Sequence, residues 1–141
     1  MVKARVLCMD NDSMLLDLIA SKLEDLFEIE TIRESTLEGM KSRISEGHFD
    51  LITMGLLYPV DNPEDQIMGF GGLTFLQELR NGMYGAKISG ISVVIISYAQ
   101  NVADNLDDII SPRGNTWFVG KPFSLKNLSK VIQEALDASN V

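Results

Sequence analysis

From Phe49 to Pro59 the chain reads Phe-Asp-Leu-Ile-Thr-Met-Gly-Leu-Leu-Tyr-Pro, with almost no polar side chain. A strand that is apolar on both faces has to be covered on both, which places it at the centre of a parallel sheet between layers of helix. Open parallel sheets bind their ligands beyond the carboxyl ends of the strands. At that end stand Gly55, Leu56, Leu57 and Tyr58, which offer one phenol where acid–base or phosphate chemistry needs a carboxylate, a hydroxyl or a cation.

The flanking segments supply the rest of such a sheet. Residues 2–9 read as a strand stopped by Asp10-Asn11-Asp12-Ser13, which is turn and cap chemistry. Leu15, Leu16, Ile19, Leu23 and Leu26 then recur at helical spacing, with Asp17, Lys22, Glu24 and Asp25 on the other face. Residues 27–32 alternate with period two, as an edge strand does. Ser35 or Thr36 caps a second helix carrying Leu37, Met40 and Ile44, which ends at Gly47. After the central strand, residues 60–72 read as a long loop.

Leu73, Phe75, Leu76 and Leu79 mark a third helix, closed by Asn81-Gly82, and residues 85–90 form a linker. The β-branched run Ile91-Ser92-Val93-Val94-Ile95-Ile96, ending at Ser97, is a second buried strand. Residues 101–110 carry a weak helical stripe of Val102, Leu106, Ile109 and Ile110. Residues 116–119 form the last strand, and Ser124 caps a final helix with Leu125, Leu128, Val131, Ile132, Ala135 and Leu136 inward. Strand and helix alternate five times. This pattern predicts one α/β domain over residues 1–141, a flavodoxin-like five-stranded parallel sheet of order 2-1-3-4-5 with helices on both faces.

Composition narrows the function. A chain of 141 residues with net charge -8 and singly scattered Lys and Arg lacks the clustered cations that nucleic-acid phosphates require. Cys8, the one cysteine, sits within Val6-Leu7-Cys8-Met9 and reads as a small core residue. His48 reads as a loop histidine, and Trp117 and Phe118 as core rings, the alternative being that one of them is partly exposed on a partner-binding face. With no apolar run near the ~20 residues of a membrane span and no signal peptide, the expected location is cytoplasmic, away from membranes and nucleic acid.

Three signals meet at the predicted carboxyl edge: Asp10-Asn11-Asp12 after the first strand, Ser97 after the fourth, and Lys121-Pro122-Phe123 after the fifth. Together they resemble the receiver domain of two-component response regulators, over essentially the whole chain. In that family two acidic residues after the first strand help hold Mg²⁺, and an Asp ending the third accepts phosphate. A Ser or Thr after the fourth strand and a Lys before a Pro contact the phosphoryl group. The resemblance assigns Asp10 to the first acidic place, Ser97 to the hydroxyl place, Lys121 to the lysine place and Phe118 to the aromatic switch. Gly72-Leu73-Thr74-Phe75-Leu76 resembles the family's Gly-led third helix. Two places depart from the pattern. Asn11 fills the second acidic place and Gly55 the phospho-acceptor place.

A glycine has no nucleophile, and Asp50 lies about 16 Å away at the other end of the strand. Asp10 and Asp12 alone leave Mg²⁺ short of the hard oxygens it requires, so no cofactor is expected and Mg²⁺ at most weakly. The resemblance implies an atypical receiver, a pseudo-receiver that signals by binding protein through the face of the fourth helix, last strand and last helix, not an enzyme; a homodimer remains open. Two other readings compete. One is phosphotransfer through a displaced carboxylate, Asp61 or Asp65. The other is binding of an anion or small ligand by Ser97 and Lys121 without chemistry. Asp10-Asn11-Asp12 also suits a plain turn and cap, and without an acceptor Lys121 is expected to pair with Asp10.

Overall fold

Five parallel strands make one sheet: β1 (Ala4–Met9), β2 (Ile29–Glu34), β3 (Leu51–Met54), β6 (Ser92–Ser97) and β7 (Thr116–Gly120). The two-residue strands β4 (Tyr58–Pro59) and β5 (Met68–Gly69) pair antiparallel in a separate ladder. The main order is β2-β1-β3-β6-β7, which is 2-1-3-4-5 among the sheet strands, with β3 central and β2 at an edge as expected. This computed structural model describes residues 3–56, 58–59, 68–69, 71–97 and 115–139; residues 101–110, Asp61 and Asp65 lie outside them. The helices are α1 (Ser13–Leu26), α2 (Leu37–Glu46), α3 (Gly71–Arg80) and α4 (Leu125–Ser139).

Period-two alternation sorts the strand residues between two cores. Leu7 and Met9 of β1, Ile52 and Met54 of β3, and Val93 and Ile95 of β6 pack with Met40 and Ile44 of α2 and Phe75, Leu76 and Leu79 of α3. Val6, Cys8, Leu51, Val94 and Ile96 point the other way, onto Leu16, Ile19, Ala20 and Leu23 of α1 and Leu128, Ile132 and Ala135 of α4. Each fully buried Leu, Ile or Phe contributes roughly 1.5–3 kcal/mol, so both layers are needed to hold the sheet. Among the described residues no helix is long and apolar enough to cross a membrane.

Several boundaries differ from expectation. The central strand spans only Leu51–Met54, because the chain turns away from the sheet after Met54; Gly55 and Leu56 stay buried outside it. Phe49 precedes the strand and packs in the core. Within residues 60–72, expected to be a loop, Met68–Gly69 pairs with Tyr58–Pro59 and α3 already starts at Gly71, with the Gly72 amide donating to the Leu56 carbonyl at 3.1 Å. Leu26 and Leu125, expected inward, are 51% and 42% exposed. They occupy the last position of α1 and the first of α4, where the end of the helix overhangs its layer, and Ala20 fills an inward place on α1 instead.

The end of α3 fits its sequence signal. Gly82 adopts φ +84°, and the amides of Gly82 and Met83 donate to the carbonyls of Leu79 and Glu78 at 3.1 and 3.0 Å. These paired bonds are a Schellman closure, which needs a left-handed residue. A Cβ here would meet nothing within 4 Å, so Gly82→Ala incurs backbone strain alone. Thermal unfolding of that variant is expected to show a loss of roughly 1 kcal/mol.

Candidate functional site

The sheet register builds the site. Met54 lies opposite Met9 on one side and Ile95 on the other, so the next residues, Asp10 and Gly55, leave the sheet side by side at its carboxyl edge. One strand further, Ser97 lies opposite Gly120, and the Lys121 amide donates to the Ser97 carbonyl at 3.0 Å. That bond fixes where the Lys121 side chain starts. The Lys121-Pro122 peptide is cis.

From there the Lys121 ammonium reaches back across the edge. Its Nζ donates to Asp10 Oδ2 at 2.8 Å, and both side chains are out of water, at 8% and 2% exposure. Asp10 Oδ1 accepts the Asp12 amide at 2.9 Å, so each oxygen of this carboxylate already has a donor. Asp12 is the N-cap of α1; its Oδ1 accepts the amides of Met14 and Leu15 at 3.1 and 3.2 Å. Asn11 and Asp12 are exposed, whereas Ser97 is buried. The turn-and-cap reading and the pocket reading of Asp10-Asn11-Asp12 therefore coexist: Asp12 caps, Asp10 faces inward.

This donor set does not fit Mg²⁺. An octahedral ion needs several hard oxygens free to face it, and Asp10 is engaged by Lys121, Asp12 by a helix end, while Gly55 has no side chain. Among the described residues no three His, Cys, Asp or Glu side chains cluster in a way that could hold a metal ion. What the arrangement does hold is a buried ion pair, favourable while both members keep their additional hydrogen bonds.

The aromatic residues of β7 sit on opposite layers. Phe118, opposite Ile95, is half-buried against the α2–α3 core, and Trp117 is half-buried against the α1–α4 core. Cys8 is buried next to Thr53, and burial pushes its thiol pKa up to about 11 against the opposing Thr53 hydrogen bond. It is an inert core residue at neutral pH. His48 is exposed between α2 and β3, with its carbonyl accepting Arg5 Nη1 at 3.2 Å.

Sequence reading passed over Arg80. Its guanidinium is buried at the opposite end of the sheet, where Nη1 donates to the carbonyls of Ser89 and Ile91 at 2.9 and 2.7 Å. Nη2 donates to the Asn115 carbonyl and Thr116 Oγ1 at 3.0 and 2.8 Å, tying the end of α3 to the starts of β6 and β7. A signal was present: Arg80 follows Leu76 by four residues, which places it on the inward stripe.

No protein-family model matches the sequence, and no curated protein matches it. Solved structures do. A CheY-like response regulator receiver domain protein from Methanospirillum hungatei superposes with TM-score 0.72 at 19% identity, covering 99% of this chain and 98% of that one. The receiver domain of a Francisella response regulator gives TM-score 0.74 at 19% identity over 97% and 99% of the two chains. The receiver domain of a sensor histidine kinase from Pseudomonas aeruginosa, which holds a magnesium ion in its active-site cleft, gives 0.73 at 14% over 96% and 99%. The fold is the receiver fold. On that fold the switch point between the first and third strands is where Asp10 and Gly55 emerge.

Proposed function

We propose that the chain is a receiver-like signalling domain that works as a phosphorylation-independent protein-interaction module and not as an enzyme. The observation that carries this reading is the residue that follows β3: Gly55 emerges beside Asp10 where receiver chemistry needs a carboxylate. Acyl phosphate formation requires a carboxylate oxygen in line with the phosphorus, and Gly55 presents hydrogen. The Lys121–Asp10 pair supports the same reading, because it satisfies in one fixed arrangement the charges that a metal and a phosphoryl group would otherwise bridge.

The partner surface is the side of β7 and α4. Trp117 and Phe118 are half-buried on β7, Leu125 opens α4 at 42% exposure, and the net charge of -8 favours a partner with a basic rim. The third part of this surface, residues 101–110, lies outside the described residues.

Incubation with acetyl phosphate and Mg²⁺, followed by intact mass measurement, is expected to leave the chain unmodified. Fluorescence of Trp117, the only tryptophan, should stay flat through a beryllofluoride titration. Gly55→Asp should gain a phosphoryl group, because Ser97 and Lys121 already stand at their strand ends, and adding Asn11→Asp should strengthen Mg²⁺ binding. An adduct on the unsubstituted chain at Asp10, Asp12, Asp61 or Asp65 would establish a displaced nucleophile instead. A saturable fluorescence change without an adduct would favour the anion-binding alternative.

A further inference from the structure

Among the described residues, three of the five large apolar side chains left exposed belong to α1: Met14 at 83%, Leu18 at 48% and Leu26 at 51%. Their spacing is four and eight residues, and the half-buried Lys22 fills the remaining place, so Met14, Leu18, Lys22 and Leu26 form one ridge along the whole helix. This ridge is distinct from the buried stripe of Leu16, Ile19, Ala20 and Leu23 that packs on the sheet. It also lies away from β2, because the flank of α1 towards β2 is taken by Asp17 and Glu24, which stand 2.9 and 3.9 Å from the Arg33 guanidinium.

The charges beside the ridge decide what fits on it. With Asp17 and Glu24 tied to Arg33, the groups left on the outward face of α1 are one cation and one anion, Lys22 and Asp25. They stand three residues apart on the same helix, yet neither has an ion-pair partner among the described residues. The net charge of -8 is thus carried mainly elsewhere, and the ridge itself is close to charge-balanced. A row of carboxylates would suit a basic partner. A balanced pair suits a surface of the same composition running in the opposite direction, which sets an anion against each cation. A two-fold axis supplies that arrangement, since it presents the same patch to itself in reverse order.

We propose that α1 is the face on which a second copy of this chain docks, ridge against ridge about a two-fold axis. Leu26 of each copy seats between Met14 and Leu18 of the other, as ridges spaced by four residues interdigitate in the commonest class of helix packing, with the axes about 8–10 Å apart. The same operation carries each Lys22 towards the other copy's Asp25, so the pair is made twice. One helix face buries little area, which places the dimer in the weak class, below about 1,200 Å² in total. The docking does not depend on what Gly55 and Lys121 do, so either reading can fail without the other.

The test is sedimentation of the full chain from micromolar to millimolar concentration, in about 0.15 M salt so that repulsion between the two acidic copies is screened beyond about 8 Å. The expected result is a shift from monomer to dimer that stops at the dimer, because a two-fold interface closes on itself. Leu18→Glu should weaken association at least about tenfold, since it sets a carboxylate into the apolar contact. Lys22→Glu and Asp25→Lys should each weaken it about tenfold, the loss of two surface pairs, and the double variant should return to within about threefold of the original, because the pairs re-form with their signs exchanged. Leu18 and Asp25 are exposed and Lys22 is half-buried, so the variants should keep the fold. A monomer at every concentration would overturn the proposal and leave the ridge to a foreign partner. So would a dimer untouched by Leu18→Glu, which places the interface elsewhere, or a double variant no tighter than either single one.

Discussion

A Lys121→Met chain is expected to lose about 3 kcal/mol of stability, because truncating one member of a buried ion pair strands the other charge away from water. Asp10 is the charge that would be stranded: its side chain is 2% exposed, and after the substitution only the Asp12 amide, at 2.9 Å, remains among its donors in the described residues. Against a total stability of roughly 5–15 kcal/mol this is a large fraction, readily seen as a lower urea midpoint with unchanged slope. The double variant Asp10→Asn, Lys121→Met separates charge from shape. Asn keeps an acceptor for the Asp12 amide and carries no charge, so stability should return to within about 1 kcal/mol of the original. If the single variant unfolds at the same midpoint as the unsubstituted chain, water reaches Asp10 and the pair does not lock the pocket.

Arg80→Met should cost a comparable amount for a different reason. Among the described residues, the carbonyls of Ser89, Ile91 and Asn115 and the Thr116 hydroxyl each lose a donor they hold at 2.7–3.0 Å. Buried acceptors left without partners cost about 1–3 kcal/mol each, reduced here because the Asn115 carbonyl also accepts the Val93 amide at 2.9 Å. A net loss of about 3 kcal/mol corresponds to a fall in Tm of roughly 10 °C for a chain of this size. Methionine matches the length of the aliphatic stem, so the loss reads hydrogen bonding and not a cavity. Hydrogen exchange should accelerate at the first residues of β6 and β7 well before the carboxyl edge of the sheet is affected. A Tm within a degree or two of the original would show that these carbonyls find water.

These two residues mark the division between what was legible in the chain and what was not. The alternation of strand and helix was legible, because periodicity is a local property. Val93 and Val94 point to opposite layers by the geometry of a strand, and Leu128, Ile132 and Ala135 share a layer by the geometry of a helix. The sheet order followed, since right-handed crossovers and two covered faces leave few topologies for five such units. Asp10, Gly55, Ser97 and Lys121 could be placed at one edge for the same reason: each directly follows or ends a strand, and parallel strands put such positions together.

Where elements end was less legible. The apolar run through Leu56 continues past Met54 although the strand stops there, because hydrophobicity reports burial and not hydrogen-bond pairing. Leu26 and Leu125 have the spacing of core residues and are exposed, since a helix stripe extends only as far as the layer beneath it.

Side-chain partners were decided by the tertiary structure alone. Lys121 and Asp10 are 111 residues apart, and their 2.8 Å contact depends on β1, β3, β6 and β7 all being in register. A slip of one residue in any of them would turn a side chain to the other face. Arg80 and its acceptors depend likewise on how the α3–β6 connection folds back over the start of β7. Sequence determined the layers and the residues at each edge because those follow from local periods and chain connectivity. The ion pair and the arginine clamp required coordinates because each is made by residues that no local period relates.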